Sequence, residues 1–306
     1  MDKKQELINN LDILRKQEIA KKEPWKAKSY NTVINNLKST DIPIYTFEDL
    51  KEIKGIGKSI EKKMRDFFET GNIKQIKNND EVLNIFNELT KIHAIGPAKA
   101  NELIEIYNIK SIEDLKLHTN LLNDKQIMGL KYVYDFEQRI PYEEMKKHDN
   151  YITSIAKSFN TDIHITGSYR RKSPDSGDID VLVTSDFDNI IKKFQEDKYI
   201  CDIFALGKKK FMGICKLKDH NIYRRLDILY TDKKELPFAL LYFTGNGNFN
   251  VKMRNIALSQ GFSLSEYGIK YHTGDNKDKF VNHEFINEKD IFDFLKMDYV
   301  EPENRC

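Results

Sequence analysis

The segment Gly177-Asp178-Ile179-Asp180-Val181-Leu182-Val183 sets two acids one residue apart inside an apolar run. On a strand, alternate side chains share a face, so Asp178 and Asp180 project together while Ile179, Val181 and Val183 face a core. Two carboxylates a few Å apart repel unless a divalent cation lies between them. Alone, such a step is most simply a solvated strand face. Asp227, within the strand-like run Arg225-Leu226-Asp227-Ile228-Leu229, adds a third acid. Three carboxylates converging from two strands could hold two Mg²⁺ ions, with Mn²⁺ as a substitute, roughly 3.5–4 Å apart for phosphoryl or nucleotidyl transfer.

The residues upstream change the balance. Residues 161–166 read as a short alternating strand that stops at Gly167-Ser168. Gly167 lets backbone approach a ligand closely, and Ser168 adds a hydroxyl donor at a helix or turn start. Arg171 follows, able to pair with phosphate through two parallel hydrogen bonds. Ser176 and Gly177 offer a second small, donor-rich turn just before the acids. Phosphate donors on one side and carboxylates on the other suit a nucleoside triphosphate. The ordered set reads as a nucleotidyltransferase signature.

These groups need a sheet to hold them. From about residue 150 the pattern predicts a helix, then strands at 161–166, 179–184, 211–217 and 223–230, with a helix over 186–197. Residues 233–306 mix helix and short strands. The first 80 residues read as helical: Leu7, Leu11 and Leu14 recur at helix spacing, as do Val33, Ile34 and Leu37. Asp41-Ile42-Pro43 breaks the pattern. A further helix begins near Gly57, buries Ile60, Met64, Phe67 and Phe68, and ends at Gly71-Asn72. Helical stretches continue over 81–107 and through 131–136, and Pro141 marks a boundary.

Leu50–Lys58 is echoed by Thr90–Ala98, each carrying Ile-Gly into a helix, with the glycines 57 and 96 standing 39 residues apart. A glycine turn of this kind aims helix N-terminal amides at a DNA phosphate, without regard to sequence. One copy reads equally well as an ordinary αα-hairpin turn; two favour DNA. The expected contacts are Gly55, Gly57 and Lys58 in the first hairpin and Gly96 in the second. A Na⁺ or K⁺ ion is expected on the backbone carbonyls of Lys51, Ile53 and Ile56, and another on those of Thr90, Ile92 and Ile95.

The 306 residues are 40% apolar and 32% charged, with a net charge of only +2, so the chain is not a uniformly basic nucleic-acid binder. Residues 1–80 hold 17 Lys and Arg against 13 Asp and Glu, a local +4 that makes this segment the expected electrostatic footprint on DNA. No apolar run reaches the length of a membrane span. The start, Met1–Glu6, lacks the apolar core of a secretory signal. Cys201, Cys215 and Cys306 have no metal-ligand spacing. The expectation is an intracellular monomer without a membrane, nuclear in a eukaryotic cell and cytoplasmic or virion-borne if viral.

Two hairpins, Gly-Ser, Asp-x-Asp and the later Asp, in that order, resemble family X DNA polymerases. The resemblance runs through Gly129-Leu130-Lys131-Tyr132, Asp135–Pro141, Glu143-Glu144-Met145, Phe211-Met212-Gly213, Tyr242-Phe243-Thr244-Gly245, Asp290–Asp293 and Glu301-Pro302. It is closer to the beta type, with lambda-like features in the N-terminal segment. It implies an α+β multi-domain chain. Residues 1–80 would form a helical lyase domain with the first helix-hairpin-helix, and 81–140 a helical DNA-binding subdomain with the second. A nucleotidyltransferase palm with a mixed sheet would occupy 141–232, and a nucleotide-selection subdomain 233–306.

The resemblance also implies roles. Asp178 and Asp180 would bind both metals, while Asp227 would bind the catalytic one and accept the primer 3′-hydroxyl proton. Arg139, Gly167, Ser168, Arg171, Ser176 and Gly177 would hold the triphosphate. Tyr242, Phe243 and Gly245 would pack against the incoming sugar, and Asn250 would contact the nascent pair. Arg225 would hold the primer phosphate, and Arg254, with Tyr267 behind it, would face the template strand. Lys63 would form a Schiff base at an abasic 5′ end, its amine kept neutral by Lys62 and Lys58. Lys26 would contact the 5′-phosphate. Ser59, Gly247, Val251 and Leu229 depart from the family pattern. The implied function is gap-filling synthesis on gapped or nicked duplex DNA from deoxynucleoside triphosphates, with 5′-deoxyribose-phosphate lyase activity, in base excision repair. Template-independent or end-joining transfer ranks second, against which the short Lys216–Tyr223 connection speaks, and a non-catalytic DNA-binding scaffold third.

Overall fold

A computed structural model describes residues 2–40, 42–73, 76 and 81–305; Asp41 of the expected break and Cys306 lie outside the described residues. The chain divides into two units, Met1–Val133 and Tyr134–Cys306.

The first unit is helical. Helices α1 (Lys4–Ala20) and α2 (Pro24–Ser39) bury Leu7, Leu11 and Leu14 against Tyr30, Val33 and Leu37. Pro24 opens α2, where its missing N–H has no helical partner to lose. α3 (Lys58–Thr70) adds Ile60, Met64 and Phe67 from one face, and Gly71 caps it in the left-handed conformation. A second apolar cluster gathers α4 (Glu81–Leu89), α5 (Pro97–Glu105), α6 (Ile112–Leu117) and α7 (Asp124–Lys131) around Phe86, Leu89, Leu103 and Leu115. α8 (Val133–Glu137) starts at the last residue of this unit and belongs otherwise to the second.

Both Ile-Gly turns are tight entries into helices, with Gly57 and Gly96 as extended N-caps of α3 and α5. Two residues before each cap the backbone turns left-handed, through Gly55 (φ +87°) in one and Ala94 (φ +65°) in the other. A side chain in that conformation is disfavoured by about 1–2 kcal/mol. Ala94→Gly is therefore expected to stabilise the chain, by up to about 1 kcal/mol once the added freedom of the unfolded glycine is subtracted. Gly55→Ala should do the reverse, since its methyl would also sit 3.1 Å from Thr32 Cγ2. Urea denaturation of both variants checks the pair; opposite signs are required.

The second unit is built on a five-stranded mixed sheet ordered β2-β4-β7-β6-β5. Its strands are β2 (Ile163–Ile165), β4 (Ile179–Val183), β5 (Ile200–Leu206), β6 (Lys210–Cys215) and β7 (Arg224–Tyr230). β4 and β7 run parallel; the other neighbours are antiparallel. A two-stranded ribbon, β1 (Ile140–Pro141) with β3 (Asp175–Ser176), stands apart from the sheet. Ile179, Val181, Val183, Leu226 and Ile228 form one core with Met145 and Ile152 of α9 (Tyr142–Ser158) and Ile190 and Phe194 of α11 (Phe187–Glu196). The four expected strands and the helix between them are present. β5 has no counterpart in the sequence reading, because two bulges in its pairing with β6 spoil the alternation of burial that would mark it.

Inside this core, Arg224 donates two parallel hydrogen bonds to the buried Glu144 carboxylate (2.7 and 2.8 Å) and a third to the Gln138 carbonyl (2.7 Å). Burial pushes the Glu144 carboxyl up, but His148, 3.8 Å away, and the hydrogen bonds and charge of Arg224 outweigh it and hold it at about 2. A depressed carboxyl stabilises the fold above its unfolded value and loses that contribution as pH falls through the folded one. The stability gap between wild type and Glu144→Gln is expected to narrow by roughly 2–3 kcal/mol as pH falls from 5 towards 2. Denaturant titrations across that range measure it.

The C-terminal part packs α12 (Leu236–Thr244), α13 (Gly247–Ser259), the hairpin β8 (Phe262–Ser265)–β9 (Gly268–Tyr271) and α14 (Glu288–Phe294) around Phe238, Met253, Ile291 and Phe292. Between the five-stranded sheet and this layer, α10 (Gly167–Arg170) forms a single turn.

Candidate active site

The parallel ladder between β4 and β7 sets Asp180 beside Asp227 as register partners. Their apolar neighbours fill the core, so both acids leave the opposite face of the sheet. Asp178 lies one residue before β4. Burial raises the Asp180 carboxyl to about 7, helped by the charges of Asp178 and Asp227 and opposed by Arg225 and Arg171. Burial also raises Asp227, with Lys210 and Arg225 pulling down and Asp178 pushing up. Carboxylates that disfavour one another's ionisation favour a cation among them. The residues therefore fit a divalent metal. Among the described residues no three acidic, His or Cys side chains already form a metal-holding group, and Asp178 instead accepts a hydrogen bond from Arg225 Nη2 at 2.6 Å.

The backbone closes on these acids. Thr166 N–H donates to the Asp180 carbonyl (2.9 Å), and Gly167 follows in the left-handed region at φ +61°. A methyl on Gly167 would stand 2.8 Å from Asp180 Oδ2, so only glycine lets α10 begin there. Ser168 Oγ donates to the buried Ser176 Oγ (2.8 Å) across to β3. Arg139 crosses Gly177 to reach Asp175 (2.8 Å), and a methyl on Gly177 would meet its Nη1 at 2.7 Å. Both glycines serve close approach.

The cleft above the sheet holds about 540 Å³. It brings together Arg139, Gly167, Ser168, Arg171, Gly177, Asp178, Asp180 and Arg225 with Tyr242, Phe243, Gly245 and Asn250, positions widely separated in sequence. Tyr242 and Phe243 meet edge to face, with centroids 4.9 Å apart, at the end of α12. Asn250 Nδ2 ties back to the Tyr242 carbonyl (2.7 Å), and Arg254 lies over the Tyr242 ring. Arg171 donates to the Thr244 carbonyl, which couples α10 to α12. Four residues expected at this site are not part of its lining: Asp227, Arg254, the buried Ser176 and the exposed Tyr267.

Comparison with known proteins matches four family models in order along the chain. They are a helix-hairpin-helix domain (residues 2–73), the fingers domain of DNA polymerase lambda (87–137), the DNA polymerase beta palm (139–233) and the DNA polymerase beta thumb (239–306). The chain belongs to family X of the DNA polymerases. It is 28% identical to DNA polymerase lambda of Rattus norvegicus over 98% of its own length and 56% of that relative. Identity to DNA polymerase lambda of Arabidopsis thaliana is 26%, over 92% of the chain and 58% of the relative. It is 22% to the type-X family protein pol4 of Schizosaccharomyces pombe, over 98% and 64%. The chain thus spans just over half the length of the two lambda relatives.

The family X chain has a second cleft, in its first unit, where Lys26, Lys63, Glu18, Tyr30 and Ser59 line about 410 Å³. Lys63 Nζ donates to Ser59 Oγ (3.0 Å) and lies near the Tyr30 ring. Burial holds its amine below the usual lysine range; Glu18 opposes this and Lys62 adds to it. Burial rather than like-charge crowding is thus the main cause, a difference from the sequence reading. Lys26 sits 3.9 Å from Glu18 and 3.5 Å from Glu23.

At the hairpins of this polymerase-family chain, space around Gly57 and Gly96 is open within 4 Å of an added methyl. Of the carbonyls expected to take a monovalent ion, that of Ile92 already accepts a bond from Ile95 N–H (3.0 Å). The Lys54 and Ala94 carbonyls within the turns accept from Asn36 (2.7 Å) and Gln126 (3.2 Å) side chains.

The sequence reading missed Asn246 and the Arg170–Glu288–Arg305 network. Asn246 caps α13 by accepting from Phe249 N–H (3.0 Å) and lines the cleft. Its signal, Asn ahead of a helical run, was present. Glu288 receives Arg170 (3.0 Å) and Arg305 (2.6 Å), and Arg170 also donates to Thr244 Oγ1 (2.6 Å). No local pattern marks partners so distant in sequence.

Proposed function

We propose that this chain is a template-directed DNA polymerase that fills short gaps by two-metal nucleotidyl transfer, with 5′-deoxyribose-phosphate lyase activity, in base excision repair. The observation that carries the reading is the register of Asp227 with Asp180, which with Asp178 lines a cleft edged by Gly167-Ser168, Arg139 and Arg171. The first hairpin and Lys63 cleft would serve the lyase part, 1–80, and the second hairpin DNA binding in 81–140. The palm, 141–232, would carry the transfer, and 233–306 nucleotide selection.

Asp178, Asp180 and Asp227 would hold Mg²⁺, or Mn²⁺ in its place, whose charge would offset that gathering on the reacting phosphate and attacking oxygen. Ser168, Arg171 and Arg139 would grip the triphosphate, with the Gly167 and Gly177 backbones able to approach it. Asp227 would take the proton of the primer 3′-hydroxyl. Tyr242, Phe243 and Gly245 would pack against the sugar, Asn250 would face the nascent pair and Arg254 the template strand. Arg225 would turn from Asp178 to the primer phosphate. Gapped or nicked duplex and deoxynucleoside triphosphates are the proposed substrates, taken by a monomer, with Na⁺ or K⁺ bridging each hairpin to the DNA. Among the described residues, no helix is long and apolar enough to cross a membrane.

For the lyase part, Lys63 supplies the amine that attacks the sugar aldehyde. Lys63→Ala is expected to remove borohydride-trapped adduct on a 5′-abasic duplex, by at least about 10²-fold, and to leave incorporation within twofold. Undiminished trapping removes Lys63 from the proposal. Primer extension with and without a template strand separates template-directed synthesis from terminal transfer.

A further inference from the structure

A cavity of about 880 Å³, larger than the carboxylate cleft and sharing no lining residue with it, opens between α9, the end of α11 and the connection from β6 to β7. Lys147, Lys198, Lys216 and Lys218 line it, together with His220. Two of the acids on its wall are engaged elsewhere. Asp197 accepts from Lys193 (2.7 Å) and from the Tyr151 hydroxyl (3.0 Å), and Glu196 lies 4.0 Å from Lys192. Among the described residues, no carboxylate pairs with any of the four lining lysines. Lys147 instead approaches His220 (3.3 Å), and Lys216 lies over the Tyr223 ring. The concave site thus sets four lysines, unpaired with carboxylates among the described residues, against three acids, of which Asp219 alone has no side-chain partner among those residues, while His220 lies 3.9 Å from Glu144.

The same cavity has a rigid aromatic wall. Tyr151 is pinned by its hydroxyl to Asp197 and by its ring to Phe194 and Tyr199, with centroids 5.6 and 4.5 Å away. Leu217 adds an apolar patch. Ammonium groups bind phosphate as point charges, and aromatic rings stack bases with little regard to their identity. The volume lies in the range of small-ligand cavities. We infer that this cavity binds a nucleoside phosphate, its base against Tyr151 and Leu217 and its phosphate among the lysines. A free nucleotide and a nucleotide within a single strand present the same chemistry. An acidic peptide would satisfy the lysines but leave the aromatic wall unused.

The test uses the full chain in EDTA with two photoreactive probes, 8-azido-dAMP and a DNA hexamer carrying one 8-azidoadenine, and maps adducts by mass spectrometry. Adducts are expected on peptides containing Tyr151 or residues 216–220. The exposed double substitution Lys198→Gln, Lys218→Gln is expected to reduce them at least tenfold, without changing incorporation on a gapped duplex. If the hexamer is the ligand, the slope of its log affinity against log salt flattens by about 1.4 in that variant. Labelling by the mononucleotide alone supports a free nucleotide, and by the hexamer alone a strand; both uphold the site. Adducts confined to the carboxylate cleft, labelling unchanged in the variant, no labelling at all, or hexaglutamate displacing both probes would overturn it.

Discussion

Asp227→Ala is expected to lower nucleotide incorporation on a gapped duplex by at least about 10²-fold, the range assigned to loss of a positioned proton acceptor. The effect should be larger than for any other single residue outside Asp178 and Asp180, because Asp227 has two proposed roles. It supplies one of three carboxylates on the catalytic face and takes the primer proton. Its neighbours cannot substitute, since the flanking Leu226 and Ile228 point into the core. Asp227→Asn keeps the shape and should lose activity to a similar extent, which separates chemistry from folding. Borohydride trapping at Lys63 should stay within twofold in both variants. Synthesis retained within a few fold in Asp227→Ala, assayed with Mg²⁺ and again with Mn²⁺, would remove the acid from the mechanism.

The second large effect is on stability. Glu288→Ala is expected to destabilise the second unit by about 3–5 kcal/mol, the range for breaking a buried ion pair by removing one partner. Arg305 is fully buried, boxed by Phe249, Phe292 and Tyr299, and its only carboxylate partner among the described residues is Glu288. Arg170 would lose the same partner. Although burial opposes it, hydrogen bonding and charge from Arg170 and Arg305 hold the Glu288 carboxyl below its ordinary range. Its contribution is therefore present above that range and lost as pH falls below it. Urea denaturation followed by circular dichroism at pH 7 should show the loss, and the gap between variant and wild type should shrink at lower pH. A shift under 1 kcal/mol at pH 7 would mean the arginines find other partners.

The acid-bearing face was readable because strand periodicity is rigid: one intervening Ile179 commits Asp178 and Asp180 to the same side. Asp227 was readable as an acid stranded in an apolar run. What could not be read was their alignment, since the pairing of β4 with β7 depends on a helix and two further strands between them. The hairpins were visible as a repeat, but the left-handed residue proved to be Ala94 in the second copy, where sequence would favour glycine. Arg170 and Arg305 look like surface charges in sequence; only the folded chain shows both closing on Glu288. The amine of Lys63 was expected to be tuned by neighbouring lysines, whereas the cleft around it makes burial the leading cause.

The measurement that tests the central claim most directly is single-nucleotide incorporation on a duplex with a one-nucleotide gap and a 5′-phosphate, beside an open primer-template of the same sequence. Template-complementary incorporation that requires Mg²⁺ or Mn²⁺ and is faster on the gapped duplex is the expected result. Absence of incorporation on either substrate, or addition that ignores the template base, would contradict the account.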